Sequence, residues 1–222
     1  MDGVKEVAMS TDPSYYFALE GYVHAPLFKG VKHAWEALGR LKDYLEGLCQ
    51  SLSQEEIFEA YRGVYWENPR LIRLGKDVTI EQGAYIEGPC FIGDGTVIRH
   101  GAYVRRGVVT GSRCIIGHGT EIKQSILFDD VRAAHFNYVG DSILGNSVNL
   151  GAGVKCANLR LDKGNIFVRL CDEKWDTGRN KLGAIIGDKC QVGCNTVLNP
   201  GVILSPKVLC PPCQNISKSI TT

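Results

Sequence analysis

A period of six residues constrains this chain more than any other feature. From Leu74 the sequence divides into LGKDVT, IEQGAY, IEGPCF, IGDGTV, IRHGAY, VRRGVV, TGSRCI, IGHGTE and IKQSIL. The first place is held by Leu74, Ile80, Ile86, Ile92, Ile98, Val104, Thr110, Ile116 and Ile122, aliphatic in all but one unit. Four places on, from Val78 and Ala84 to Thr120 and Ile126, nearly every residue is small. The phase resumes from Leu144 (LGNSVN, LGAGVK) and from Ile186 (IGDKCQ, VGCNTV, LNPGVI). Six is neither a helical period nor a simple strand alternation. A triangular coil satisfies it, with a short strand on each side, a bend at each corner, the aliphatic residue inward and glycine relieving the corners. Three units make one turn, so residues 18 apart lie above one another at the strand spacing of ~4.8 Å. Each coil buries its core against its neighbours. The expectation is an all-β solenoid, a parallel β-helix, over residues 74 to 209.

Upstream the period changes. Trp35, Leu38, Leu41, Leu45 and Leu48 recur at helical spacing, which predicts an amphipathic helix. Ser53 and Glu56 form a capping-box pattern before a second short helix reaching about Arg62. Residues 1–70 read as a helical lead-in that caps the first coil, because an open end of β-structure invites pairing; residues 71–222 read as the β-helix domain.

Composition narrows the function. With 25 basic and 24 acidic side chains, the chain has no field to draw it to nucleic acid or a membrane surface. The start lacks a signal-peptide pattern and no apolar run reaches the ~18 residues of a membrane span. Nine cysteines without a secretory signal read as reduced thiols in a cytoplasmic protein. Cys210-Pro-Pro-Cys213 could be a redox pair or, with Cys190 and Cys194, a zinc site.

The register singles out two columns. Arg105 and Lys123 both follow the first residue of a hexad, 18 positions apart, so they stack as neighbouring like charges. At an effective dielectric of ~20 that costs on the order of 3 kcal/mol, and an anion across both, such as a sugar phosphate, reverses the sign. His100, His118 and His135 form the second column, at spacings of 18 and 17. They suggest a metal site, or one catalytic imidazole with two bystanders; a histidine near neutrality suits a general base.

More specific residues follow. AAHFNYVGDSILGNSVNLGAGVKCANLRLD and RNKLGAIIGDKCQVGCNTVLNPGV closely resemble the acetyltransferase half of the bifunctional N-acetylglucosamine-1-phosphate uridylyltransferase/glucosamine-1-phosphate N-acetyltransferase family. They resemble still more the archaeal-type sugar-1-phosphate enzymes. The likeness runs from about Gly75 to Ile203 and rests on His-x-x-Tyr-Val-Gly-Asp and Asn-Leu-Gly-Ala-Gly. It implies a left-handed β-helix and a homotrimer with the acyl donor between adjacent prisms. It implies acetyl-CoA as co-substrate without a metal, and N-acetylation of an amino-sugar 1-phosphate, glucosamine-1-phosphate first, for UDP-N-acetylglucosamine and cell-envelope synthesis. By position, His135 would be the general base. Arg105, Lys123, Tyr138 and Asn149 would hold the acceptor, with Lys181 reaching in from another coil or a neighbouring subunit. Ala152, Asn158 and Cys194 would lie near the thioester.

The chain also departs from that family. No nucleotidyltransferase half is present in these residues, so uridylyl transfer would fall to a separate protein. Leu159 and Cys194 replace a tyrosine and a serine of the bacterial members, and about fifteen residues from Lys163 to Gly178 lengthen a loop beside the site. The tail after Leu209 lacks the coils and basic arm that help hold CoA. Two other functions fit the scaffold: a metal-dependent hydratase resembling γ-class carbonic anhydrases, for which the close His-x4-His pair is missing, and a non-catalytic trimeric sugar-nucleotide-binding or scaffold module.

Overall fold

A computed structural model of the protein describes residues 10–49 and 60–221. Among them, three parallel sheets of eight, seven and seven strands wind into a left-handed parallel β-helix of about eight turns. Face A runs from Tyr65–Glu67 to Asn215–Ile216, face B from Ile72–Leu74 to Ile203–Leu204, and face C from Thr79–Ile80 to Leu209–Cys210. The first-place residues Ile86, Ile92, Ile98, Val104, Ile116 and Ile122 are wholly buried, as are the small fifth-place residues Ala84, Cys90, Val108 and Cys114. These two positions make the prism interior.

The ninth unit departs from the expected phase. Ser125 lies opposite Val108 and Leu127 opposite Thr110, so this coil advances 17 residues, not 18. Leu127 therefore points inward and Ile126 outward. A second departure follows Cys156: Ile143 pairs with Ile185, and the 42-residue step carries an antiparallel hairpin, Phe167–Leu170 with Glu173–Asp176. The inserted segment is longer than the fifteen residues expected from Lys163.

The corner between faces B and C is held by side chains. The carboxylates of Asp94, Asp129 and Asp188 accept from the backbone N–H of Lys76, Ser112 and Asn146 at 2.7–2.8 Å, tying each coil to the one before. At the next corner the coils approach too closely for any side chain on Gly117, whose Cβ would lie 1.7 Å from the Ala134 carbonyl oxygen. Gly117→Ala is expected to lower stability by ~3 kcal/mol or more, as overpacking in a rigid wall does. A melting temperature within a few degrees of wild type would contradict this close stacking.

The N-terminal segment lies along face B rather than across the end of the prism. A 3₁₀ turn, Ala34–Arg40, leads into helix α1, Leu41–Cys49, and buries Trp35, Leu38, Leu41 and Leu45. These residues, with Phe17, Tyr22 and Phe28, cover an outward stripe of Val109, Ile126, Phe128, Ile143, Ile185 and Ile203. The end of the core is instead closed by Tyr61, Val64 and Trp66. Strand pairing begins at Tyr65, inside the stretch read as lead-in. The second helix expected from Ser53 falls mostly outside the described residues.

His24 is the buried polar centre of this packing. Its Nε2 meets the Thr110 carbonyl at 3.1 Å and its Nδ1 meets the Tyr44 hydroxyl at 2.9 Å. A carbonyl only accepts, so Nε2 carries the proton and Nδ1 accepts from Tyr44. Burial pulls the His24 pKa down to about 4, whereas an unfolded histidine titrates near 6.5. Stability from the neutral ring is complete above the unfolded value and drains away as pH falls toward 4, by up to ~3 kcal/mol. Urea unfolding at pH 7 and pH 4.5 should show a larger acid loss for wild type than for His24→Gln. Equal losses would contradict the assignment.

Candidate acceptor site on face A

Backbone register places Lys123 beside Arg105: the Arg105 N–H donates to the Ile122 carbonyl, and Glu121 and Ile122 pair with Tyr103 and Val104. Tyr138 follows on the next coil, opposite Glu121. The stacking expected from the 18-residue spacing is therefore present, but the two cations do not stand as bare like charges. Arg105 Nη1 donates to Glu121 at 2.9 Å, and Lys123 Nζ to Asp141 at 2.7 Å. A third pair, Arg106 with the buried Glu87, closes at 2.5 Å.

Asp141 is the hub. Its Oδ2 takes Lys123 Nζ and the Asn158 amide at 2.5 Å, and Asn158 Oδ1 accepts from the Tyr138 hydroxyl at 3.3 Å. Burial, before the nearby Glu121 and Asp141 charges, raises the Tyr138 phenol above its ordinary range, so it remains a donor. Asn158 is thus joined to the two residues expected to hold the acceptor, to Tyr138 directly and to Lys123 through Asp141.

The inserted segment folds back over this network and makes a cavity of about 580 Å³. Arg105, Arg106 and Lys123 line it from the coils, and Arg179 and Lys181 from the insertion. Lys181 thus joins Arg105 and Lys123 within one chain. Among the described residues neither Arg179 nor Lys181 has a carboxylate partner, and the buried Arg105 Nε lacks a hydrogen-bond acceptor. The site carries two uncompensated cations and one unsatisfied donor.

His135 stands at the corner where face C turns into face A. It pairs in register with His118, whose ring stacks on His100 at 4.4 Å between centroids and donates from Nδ1 to the His100 carbonyl at 3.0 Å. The His135 ring is exposed and has no hydrogen-bond partner among the described residues. Ala152 and Cys194 continue the corner column: the Gly153 N–H donates to the His135 carbonyl and the Asn195 N–H to the Ala152 carbonyl. Asn149 is not with them. It pairs with Arg132 and Gln191 on face C, around the corner from Tyr138.

The cysteine readings do not hold. Cys190 and Cys210 are buried in the prism, Cys194 and Cys213 are exposed, and all are free thiols. Inward and outward positions of a coil cannot bring the four together. Among the described residues no three His, Cys, Asp or Glu side chains converge as a metal set.

Comparison with known proteins gives the family. Residues 86–220 match the GMPPB C-terminal domain. The chain belongs to that family. An uncharacterized acetyltransferase of Escherichia coli K12, YaiX, is 30% identical over 182 residues, 82% of this chain and 78% of that protein. A bifunctional sugar-1-phosphate nucleotidylyltransferase/acetyltransferase of Sulfurisphaera tokodaii is 40% identical over 80 residues, 36% of this chain but 20% of its own length. The chain thus spans about a fifth of that relative. A variant of GDP-perosamine N-acetyl transferase from Caulobacter crescentus, solved with CoA and GDP-perosamine, is 20% identical with a TM-score of 0.31, covering 64% of this chain and 50% of that one. No helix among the described residues is long and apolar enough to cross a membrane.

What sequence reasoning missed is the polar frame. Asp141 closes the His-x-x-Tyr-Val-Gly-Asp motif and was available as a signal. Arg179 gave none, because the insertion that carries it has no repeat to fix its place.

Proposed function

We propose that the chain transfers an acetyl group from acetyl-CoA to the amino group of an amino-sugar 1-phosphate, glucosamine-1-phosphate first. The observation that carries this is the face A cavity: uncompensated Arg179 and Lys181 and the unsatisfied Arg105 Nε, with an unpartnered imidazole at the adjoining corner. A phosphate would take donors from Arg105, Lys123, Arg179 and Lys181. Tyr138 and Asn158 would orient the sugar ring. His135 lies five residues before Gly140, the register partner of Lys123, so no more than ~16 Å of chain separates them.

An ammonium has no lone pair, so His135 accepts a proton from it, directly or through one water, and the free amine attacks the thioester carbonyl. Backbone N–H groups at Ala152 and Cys194 stabilise the oxyanion, which collapses to expel the CoA sulfur as the nitrogen gives up its second proton to it, leaving the amide and the free thiol. Two substrates held on one face supply the positioning, and no covalent enzyme intermediate is needed. Asn149, on face C, reaches an acceptor site only from a neighbouring copy, which favours a closed trimer. A cytoplasmic place in UDP-N-acetylglucosamine synthesis, with a separate nucleotidyltransferase, completes the reading. The N-terminal residues from Tyr15 to Leu45 brace face B, and the coils from Tyr65 onward serve as the transferase domain.

Removing the two uncompensated cations tests the cavity. Arg179→Ala with Lys181→Ala is expected to raise KM for the sugar phosphate roughly 100-fold, about tenfold per charge-assisted contact. KM for acetyl-CoA should stay within about twofold of wild type, since the donor is placed elsewhere. Unchanged acceptor kinetics would remove the cavity from the site.

A further inference from the structure

Phe136 stands where the neighbouring coils keep glycine. At the corner that turns face C into face A, each coil passes through the left-handed backbone region, which glycine adopts freely. Gly83, Gly101 and Gly119 hold that place at φ +81°, +68° and +64°, and Gly153 holds it at +74°. Between them comes Phe136 at φ +52°, with 59% of its surface exposed. The register is fixed by two backbone bonds: the Phe136 N–H donates to the His118 carbonyl at 2.8 Å, and the Gly153 N–H to the His135 carbonyl at 3.0 Å. Among the described residues, every other non-glycine at positive φ is polar, charged or cysteine. An exposed apolar side chain alone needs no explanation. A bulky one held at positive φ does, because its Cβ crowds the backbone.

Such a conformation persists only where its surroundings enforce it. Here the enforcing residue is the buried Asn137. Its Oδ1 accepts from the His135 N–H at 3.3 Å, and its Nδ2 donates to the Gly151 carbonyl at 2.7 Å. Its own N–H donates to Thr120 Oγ1 at 3.2 Å. The turn that carries His135 and Phe136 is thereby tied to the coil before it and the coil after it. The Phe136 ring lies back on the earlier coil, edge-on to His118 with centroids 5.2 Å apart. It also covers Gly119, where a Cβ would come within 2.7 Å of the ring. Gly119 lies two residues before Glu121, the register partner of Tyr138. The ring therefore stands where face A begins, beside the corner of His135.

The face A cavity is lined by cations, amides and a carboxylate. The reacting end has a different need, since the nucleophile is a neutral amine. Water favours the ammonium, and an apolar surface that excludes water favours the neutral form. We infer that the Phe136 ring is the apolar wall of the reacting end, keeping water from the acceptor's amine as it meets His135. The inference rests on the acyl-transfer reading and deepens it by giving that step a positioning residue. The cations grip the phosphate at the other end of the acceptor, so the ring acts on turnover and not on capture.

Steady-state acetyl transfer by the full chain tests this, with thermal melts and sedimentation, for wild type, Phe136→Gly, Phe136→Asn and Phe136→Leu. Glycine and asparagine both accept positive φ, so the turn keeps its shape while the wall is lost. Each should lower kcat about tenfold. KM for both substrates should stay within about twofold, and the melting temperature close to that of wild type. Leucine keeps an apolar wall and should hold kcat within about threefold of wild type. Wild-type kcat in the glycine and asparagine variants would overturn the inference while leaving acetyl transfer intact. So would a folded leucine variant as slow as the glycine one. A loss of kcat that follows dissociation of an oligomer would also overturn it, making Phe136 a contact between copies. A wild-type chain that transfers no acetyl group would overturn the acyl-transfer reading itself.

Discussion

His135→Ala is expected to lower kcat for acetyl transfer by about 10²- to 10⁴-fold, the contribution of a positioned general base. The change should cost little stability, because the ring is exposed and His135 is tied to the coil through its backbone. KM for both substrates should hold, since a proton acceptor acts in the transition state more than in binding. His118→Ala supplies the contrast. That ring is engaged with the His100 carbonyl and stacked on the His100 ring, so its loss should change kcat by less than about threefold. Steady-state thiol release with both variants separates the roles. An active His135→Ala protein would assign the base elsewhere.

Lys123→Met should be the most destabilising single change within the acceptor site. Asp141 is 5% exposed and shares one oxygen between Lys123 and Asn158. Removing the ammonium leaves a buried carboxylate with one neutral partner, which costs about 3 kcal/mol or more. Replacing both members, Lys123→Met with Asp141→Asn, should recover part of that loss, because the uncompensated charge is gone. Acceptor KM should rise in both variants, by about tenfold, for want of the Nζ donor. Urea denaturation of the two singles and the double gives the coupling energy directly. Additive losses would mean that the pair is not coupled.

The prism was legible because its rule is local. An aliphatic side chain every sixth residue has only the inside of a coil to occupy, and Ile86, Ile98, Ile116 and Ile122 all point there. Two other patterns were present in the letters but silent. The shift to 17 residues is carried by Ser125, whose small size fits the tight wall only if Ile126 turns outward. Phe91, Val109, Ile126, Ile143, Ile185 and Ile203 follow the small inward residue of face B and are apolar throughout. That stripe announced a covering segment along face B, which is why Trp35 and Leu38 pack there and do not cap an end.

The site was half legible for a similar reason. Stacking of Arg105 on Lys123 follows from spacing alone. Their neutralisation by Glu121 and Asp141 does not, because it depends on which way long side chains lean across a strand. Asn149 shares a motif with the site residues yet sits on another face, since adjacency along a coiled chain crosses corners. Arg179 and Lys181 enter from an insertion whose path no period dictates.

The central claim is acyl transfer to an amine held by its phosphate. Thiol release from acetyl-CoA, measured with glucosamine-1-phosphate beside glucose-1-phosphate, tests it most directly. Turnover with the amine, an N-acetylated product and silence with the hydroxyl analogue is the predicted result. No thiol release by folded protein with any amino-sugar phosphate, or equal release with glucose-1-phosphate, would contradict it.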